Sequence, residues 1–179
     1  MQLEKAAPRK HYLHILQQDL DRLEPGEYLN DALVDFWMMW ITRKEPEEEN
    51  NFIIYNTQFY TVLVDYGVEH VLNWSDRRDT DVFSKRIILI PVNKDKHWSL
   101  CALFNAALVN NSVDDITQEV PFILFLDPLD YHSRVEVVRN VRNWLNAEWN
   151  RKHNTSLNVF NNLTMESFSP QGMCLCVMQ

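Results

Sequence analysis

The chain has 179 residues, 46% of them hydrophobic and 12% aromatic, with a formal net charge of −8. That length and apolar content are those of one packed domain rather than a disordered chain, and the acidic balance argues against non-specific nucleic-acid binding. Three glycines leave no phosphate-cradling loop, no apolar run reaches the ~18–20 residues of a membrane span, and three cysteines (Cys101, Cys174, Cys176) form no disulfide framework.

Residues 1–10 read as a disordered polar tail, leaving 11–179 as the domain. From His11 to Leu23, Leu13, Leu16, Leu20 and Leu23 recur at helical spacing and predict a helix with one buried stripe, ended by Pro25-Gly26. His11 and His14 have no third partner nearby, so a metal role is not expected of them. Asn30 or Asp31 reads as an N-cap for the next helix. Its Leu33, Phe36, Trp37, Trp40 and Ile41 line one face, expected to lie deep in the core. Glu45 to Glu49 is a solvated loop. Phe52 to Tyr55 is a short strand or lead-in, and Gln58 to Tyr66 a helix burying Phe59 and Leu63.

Residues 67–82 are irregular, with Trp74 as anchor. Arg86 to Val92 is a β-branched run expected to be a strand buried on both faces. His97 to Phe104 follows after a polar turn, predicting an antiparallel hairpin. Asn105 to Gln118 reads as an extended loop and Pro121 to Asp127 as a third strand. Ser133 to Trp149 is a helix capped by Ser133, with Val137, Val141, Leu145 and Trp149 on its buried side. Leu157 to Phe160 and Leu163 to Phe168 read as short strands. The layout is α+β. The four Asn-x-Ser/Thr triplets, with no secretory signal at the start, read as chance products of an Asn-rich chain.

Two strand-like runs carry one ionisable residue each at an end, His97 and Asp127. Such ends hold a side chain rigidly while still offering it to substrate, and a His–Asp pair there can act as base and orienter. Each alone has an ordinary structural reading, as a strand-edge hydrogen-bonding histidine and a turn aspartate. Taken with Tyr28-Leu29-Asn30-Asp31 before Val34-Asp35-Phe36-Trp37, with Phe52 and Phe59-Tyr60, with His97-Trp98, with Leu126-Asp127-Pro128-Leu129 and with Pro170-Gln171, the chain resembles the SUMO-specific, ubiquitin-like-protein-processing cysteine proteases. The resemblance runs from about Leu23 to Gln171.

It implies a papain-like α+β fold, a central mixed sheet packed by helices, and no cofactor or metal. The implied reaction is cleavage after the Gly-Gly tail of SUMO or a related modifier, releasing or maturing it. His97 would take a thiol proton, Asp127 would hold the imidazole in the right tautomer, and Gln171 would donate to the oxyanion. Trp98 and Tyr28 would roof a tunnel too narrow for side chains, and Asp31 would meet a basic residue of the modifier. The implied partner is a ubiquitin-like modifier or its conjugates, the implied state a monomer with no nucleic acid or membrane, and the implied compartment the nucleus or cytoplasm.

The departure is at the nucleophile. The family follows its Pro-Gln with an Asn-containing turn and Asp-Cys-Gly, whereas Gln171 here precedes Gly172-Met173-Cys174-Leu175-Cys176. Neither cysteine is in register, and Cys176 is the nearer candidate. The expectation is an altered or truncated C-terminus in which the last helices of the domain are missing and apolar surface around Trp37 and Trp40 is exposed. Cys174-x-Cys176 lacks the second pair of ligands a metal site would need. The alternatives are a catalytically incompetent fragment that at most binds a ubiquitin-like protein, and an unrelated α+β enzyme in which His97 and Asp127 coincide.

Overall fold

A computed structural model describes residues 13–43, 51–72, 74, 81–110 and 119–170. The N-terminal tail, the acidic loop at 45–49, Gln171, Cys174 and Cys176 lie outside the described residues, as do most of 73–80 and 111–118. The helices are α1 (Gln17–Leu20), α2 (Asp31–Arg43), α3 (Gln58–Asp65) and α4 (Arg134–His153). The strands are β1 (Phe52–Ile54), β2 (Ile87–Lys94), β3 (His97–Phe104), β4 (Phe122–Leu126) and β5 (Glu166–Phe168).

The five strands form one sheet in the order β1-β2-β3-β4-β5. Pairing is parallel at both edges and antiparallel across the middle, so the sheet is mixed, as the resemblance implied. The β2–β3 hairpin closes at Lys94↔His97 through Asp95 and Lys96. Both turn residues have positive φ, 53° and 63°, the backbone handedness that matches the twist of a two-residue hairpin. β1 pairs only as far as Leu89, so Pro91, which has no N–H to give, falls where β2 has lost that neighbour.

Register explains the core. Ile88, Ile90 and Val92 face Leu103, Cys101 and Ser99 across the hairpin, and Leu103 and Cys101 face Ile123 and Phe125. All of these are buried on one side of the sheet. The other side mixes half-buried Ile87, Leu89 and Leu100 with buried Pro91 and Ala102. The continuous apolar run of β2 therefore does not mean a strand sealed on both faces; one face is core and the other is partly open.

Helices α3 and α4 cover the sealed face. Tyr55, Phe59 and Trp144 form its aromatic centre, with Trp144 edge-on to Tyr55 at 5.3 Å and to Phe59 at 5.0 Å. Ser133 caps α4 by accepting from the Glu136 amide, as expected, and Val137, Val141 and Leu145 are buried. The helix runs one turn past Trp149 and stops at Asn154, which adopts the left-handed conformation of a helix C-terminus.

Further expectations fail. The first helix begins only at Gln17 and tightens to a 3₁₀ turn over Asp21–Leu23, and Leu16, Leu20 and Leu23 are exposed. Its anchor is polar: the buried Asp19 carboxylate accepts from the Leu16 amide at 2.8 Å and from Asn30 Nδ2 at 2.7 Å. In α2, Leu33 is buried, but Phe36, Trp37, Trp40 and Ile41 are exposed, Trp37 to 56%, which overturns the deep-core expectation for this helix and agrees with the exposed apolar surface expected around Trp37 and Trp40. Periodicity identified an apolar face without identifying what lies against it. Finally, Leu157 to Phe160 is not a strand. Its backbone pairs with side-chain amides of α4: Asn150 bonds both the N–H and C=O of Leu157, and Asn146 both those of Phe160. Of Leu163 to Phe168, only Glu166–Phe168 joins the sheet.

Candidate active site

The β3–β4 ladder ends at Leu100↔Leu126. His97 opens β3 and Asp127 follows β4, so both stand just beyond the paired region at the same end of the sheet. There His97 Nε2 lies 2.5 Å from Asp127 Oδ1, with side chains 12% and 1% exposed. The two residues thirty apart in sequence are thus brought together.

Asp127 is held by more than the imidazole. Its Oδ1 also accepts from the Leu129 amide at 3.0 Å, and its Oδ2 from the amides of Tyr131 at 3.0 Å and His132 at 2.7 Å. Burial acts to raise the carboxyl pKa. The bond from His97, followed by those from the His132 and Leu129 amides, outweighs burial and carries it below the ordinary value. An ionised Asp127 accepts the Nε2 proton, which leaves the lone pair of His97 at Nδ1. That is the arrangement a general base needs.

Trp98 donates its indole N–H to the Leu29 carbonyl at 3.0 Å, tying β3 to the residue beside Tyr28. Tyr28 is exposed. Asn30, rather than Asp31, caps α2, its Oδ1 accepting from the Leu33 amide at 3.1 Å. Asp31 is the first helical residue and accepts from Gln58 Nε2 at 2.6 Å. Gln171 and Cys176 fall outside the described residues. Cys101 is fully buried, and burial pushes its thiol up to about 12, so it is a core residue with no nucleophilic character.

Two neighbours escape sequence reasoning. The Tyr131 ring stands edge-on to His97 at 6.0 Å, and the His132 ring lies 4.7 Å from it. His132 is buried, with Nδ1 2.8 Å from Ser99 Oγ and Nε2 3.0 Å from the Lys94 carbonyl. The only clue in the sequence is a histidine wedged between a strand-ending aspartate and a helix cap. His97, Asp127 and His132 offer ligand atoms within 4.8 Å of one another. Both His132 nitrogens already serve protein groups, however, so the trio is a hydrogen-bonded network in which a metal ion would have to displace existing bonds.

Comparison with known proteins accounts for this layout. Residues 27–171 match the Ulp1 protease family, C-terminal catalytic domain. Ubiquitin-like-specific protease 1D of Arabidopsis thaliana is 31% identical over 153 residues, covering 78% of this chain and 25% of that protein. Probable ubiquitin-like-specific protease 2A of the same plant is 27% identical over 157 residues, covering 80% of this chain and 20% of that protein. The chain therefore spans only a fifth to a quarter of the length of these relatives. Among solved structures, a de-sumoylating protease superposes with a TM-score of 0.69 at 20% identity, over 87% of this chain and 58% of that one. The C-terminal Ulp1 protease domain, solved in complex with Smt3, the yeast ortholog of SUMO, gives 0.62 at 22% identity, over 89% and 64%. At those identities the structures speak for the fold, which is the α+β fold of Ulp1-like proteases. The family match extends from just before the Tyr28 segment to Gln171, enclosing the hairpin, Asp127 and α4: this chain belongs to the Ulp1 protease family.

Proposed function

We propose that the chain is a cysteine-peptidase domain that cleaves after the Gly-Gly tail of SUMO or a related ubiquitin-like modifier. The observation that carries this reading is the bond from His97 Nε2 to a buried, amide-bound Asp127, which leaves Nδ1 as the base. His97 takes the proton of a cysteine thiol, and the resulting thiolate attacks the carbonyl carbon of the terminal glycine. Gln171 donates its amide N–H to the oxyanion. The imidazolium then gives its proton to the departing amine as the C–N bond breaks, leaving a thioester. Water attacks the thioester, His97 takes a proton from it, and the thiol is released with the free carboxylate. Cys176 is the candidate thiol. Trp98 and Tyr28 cover the glycine tail, and Asp31, steadied by Gln58, meets a basic residue of the modifier.

The partner is the modifier, free or conjugated, bound by a monomer. No described helix is long and apolar enough to cross a membrane, and nucleus or cytoplasm is the proposed compartment. One observation favours a second reading. Neither Cys174 nor Cys176, three and five residues past Gln171, stands in the family's register, which suits a domain that binds a modifier without cleaving it. A SUMO carrying a C-terminal vinyl sulfone separates the two. Labelling that is lost in His97→Gln and in Cys176→Ser establishes the peptidase; binding without labelling establishes the binder. Trp98→Ala is expected to abolish binding in either case, and undiminished binding would sink the tunnel.

A further inference from the structure

The sheet does not by itself hold His97 against Asp127. The β3–β4 ladder stops at Leu100↔Leu126, three residues short of His97 along β3 and one short of Asp127 along β4. Beyond it, Asp127 sits in a loop whose amides at 129, 131 and 132 wrap its carboxylate. From Pro128 to Val135 every residue of that loop and of the start of α4 is exposed except His132, which is 6% exposed. The stretch thus has one buried side chain, and it is an imidazole.

That imidazole reaches the other partner's element. Its Nε2 faces a carbonyl, Lys94 O, and so must carry the proton and donate it; its Nδ1 is then an acceptor, and the Ser99 hydroxyl donates to it. Lys94 and Ser99 flank His97 on the hairpin, and the His132 ring backs the His97 ring at 4.7 Å. We propose that His132 is a positioning residue for the dyad, clamping the Asp127 loop to the His97 hairpin and holding Asp127 on His97 Nε2. This rests on the reading of His97 and Asp127 as base and orienter, but its own claim is about geometry.

The test is imidazole ¹⁵N–¹H NMR on the chain as it stands, alongside the vinyl-sulfone SUMO assay. The wild-type chain is expected to show two exchange-protected Nε2–H protons, from His97 and His132. In His132→Phe, which keeps a buried ring but neither bond, the His97 Nε2–H signal is expected to be lost, with circular dichroism unchanged. His132→Gln can accept from Ser99 and donate to Lys94 O, and is expected to restore the signal. If His132→Phe fails to fold, Ser99→Ala decides: it removes only the donor to Nδ1, and at least a twofold loss of His97 Nε2–H protection is expected. A protected His97 Nε2–H that persists in His132→Phe, or in Ser99→Ala where that variant decides, overturns the clamp. A chain that shows the expected NMR changes yet never labels with SUMO retains the clamp and loses the peptidase reading.

Discussion

Replacing Asp127 by asparagine exchanges one carboxylate oxygen for an NH₂ group that can only donate. The carboxylate accepts four bonds, two on each oxygen: His97 Nε2 and the Leu129 amide on Oδ1, the Tyr131 and His132 amides on Oδ2. If the remaining oxygen faces His97, the NH₂ meets the Tyr131 and His132 amides and both lose their acceptor, at about 1–3 kcal/mol each. If it faces those amides instead, only the Leu129 amide is stranded, and Leu129 is exposed enough for water to serve it. The second arrangement wins. Its cost is about 1 kcal/mol for the Leu129 bond and about 1 kcal/mol more because two amides now bond a neutral oxygen rather than a carboxylate. The NH₂ then points at His97 Nε2, which must become the acceptor and move its proton to Nδ1. Asp127→Asn should therefore lose about 2 kcal/mol in urea unfolding at neutral pH with an unchanged m value. Imidazole NMR should show the opposite tautomer, and any thiol labelling should fall far more than stability does. The pH dependence has a sign. Asp127's pKa is lowered in the folded state, so its contribution is present above the unfolded value near 3.8 and is lost as the pH falls through the lower folded one. The gap between wild type and variant should close in that acid range. An unchanged His97 tautomer, or a gap that persists in acid, would refute the reasoning.

Cys101 should resist a thiol reagent such as Ellman's until the chain unfolds. Because its folded pKa is raised from 9.0 to about 12, its contribution to stability is intact below 9.0 and is lost as the pH rises through about 12; rapid reaction of the native chain at Cys101 would contradict this. Asn30→Ala removes both the cap on α2 and a partner of the buried Asp19 carboxylate, at a cost of about 2 kcal/mol. Asn30→Asp keeps the cap but sets a carboxylate against Asp19, so it too should destabilise at neutral pH, and a gain in urea midpoint would count against the shared role.

The sheet was legible because its strands are short, β-branched and separated by polar turns: Ile87 to Lys94, His97 to Phe104 and Phe122 to Leu126 all fall where the apolar runs are. The dyad was legible for a related reason, since a lone ionisable residue at a strand end is conspicuous against apolar neighbours. What failed depended on partners outside each element's own pattern. The apolar stripe of α2 is real, but a stripe does not say what packs on it. Leu157 to Phe160 has the composition of a strand, yet its hydrogen bonds go to Asn146 and Asn150, polar residues on the side of α4 that helical periodicity marks as solvent. His132 is buried because the hairpin reaches over it, which no local pattern contains.

The site and the core are stabilised by different physics. The core is apolar and aromatic, built on Tyr55, Phe59, Trp144 and the sealed face of the sheet. The surroundings of His97 and Asp127 are not: Leu129 and Tyr131 are both exposed. This end of the sheet carries a series of directional bonds: Asn30 donates to Asp19, Trp98 to the Leu29 carbonyl, Ser99 to His132, and the His132 amide to Asp127. Apolar packing tolerates sub-ångström adjustment, whereas a hydrogen bond weakens steeply once its angle departs from linear. A scaffold that must set one imidazole nitrogen against a carboxylate gains more from directional bonds than from further burial. The cost is that each bond has a single donor and acceptor, so losing one member displaces the next. Perturbations in the core should therefore appear as global stability alone, and perturbations at His132 and Asp127 also as the tautomer and orientation of His97.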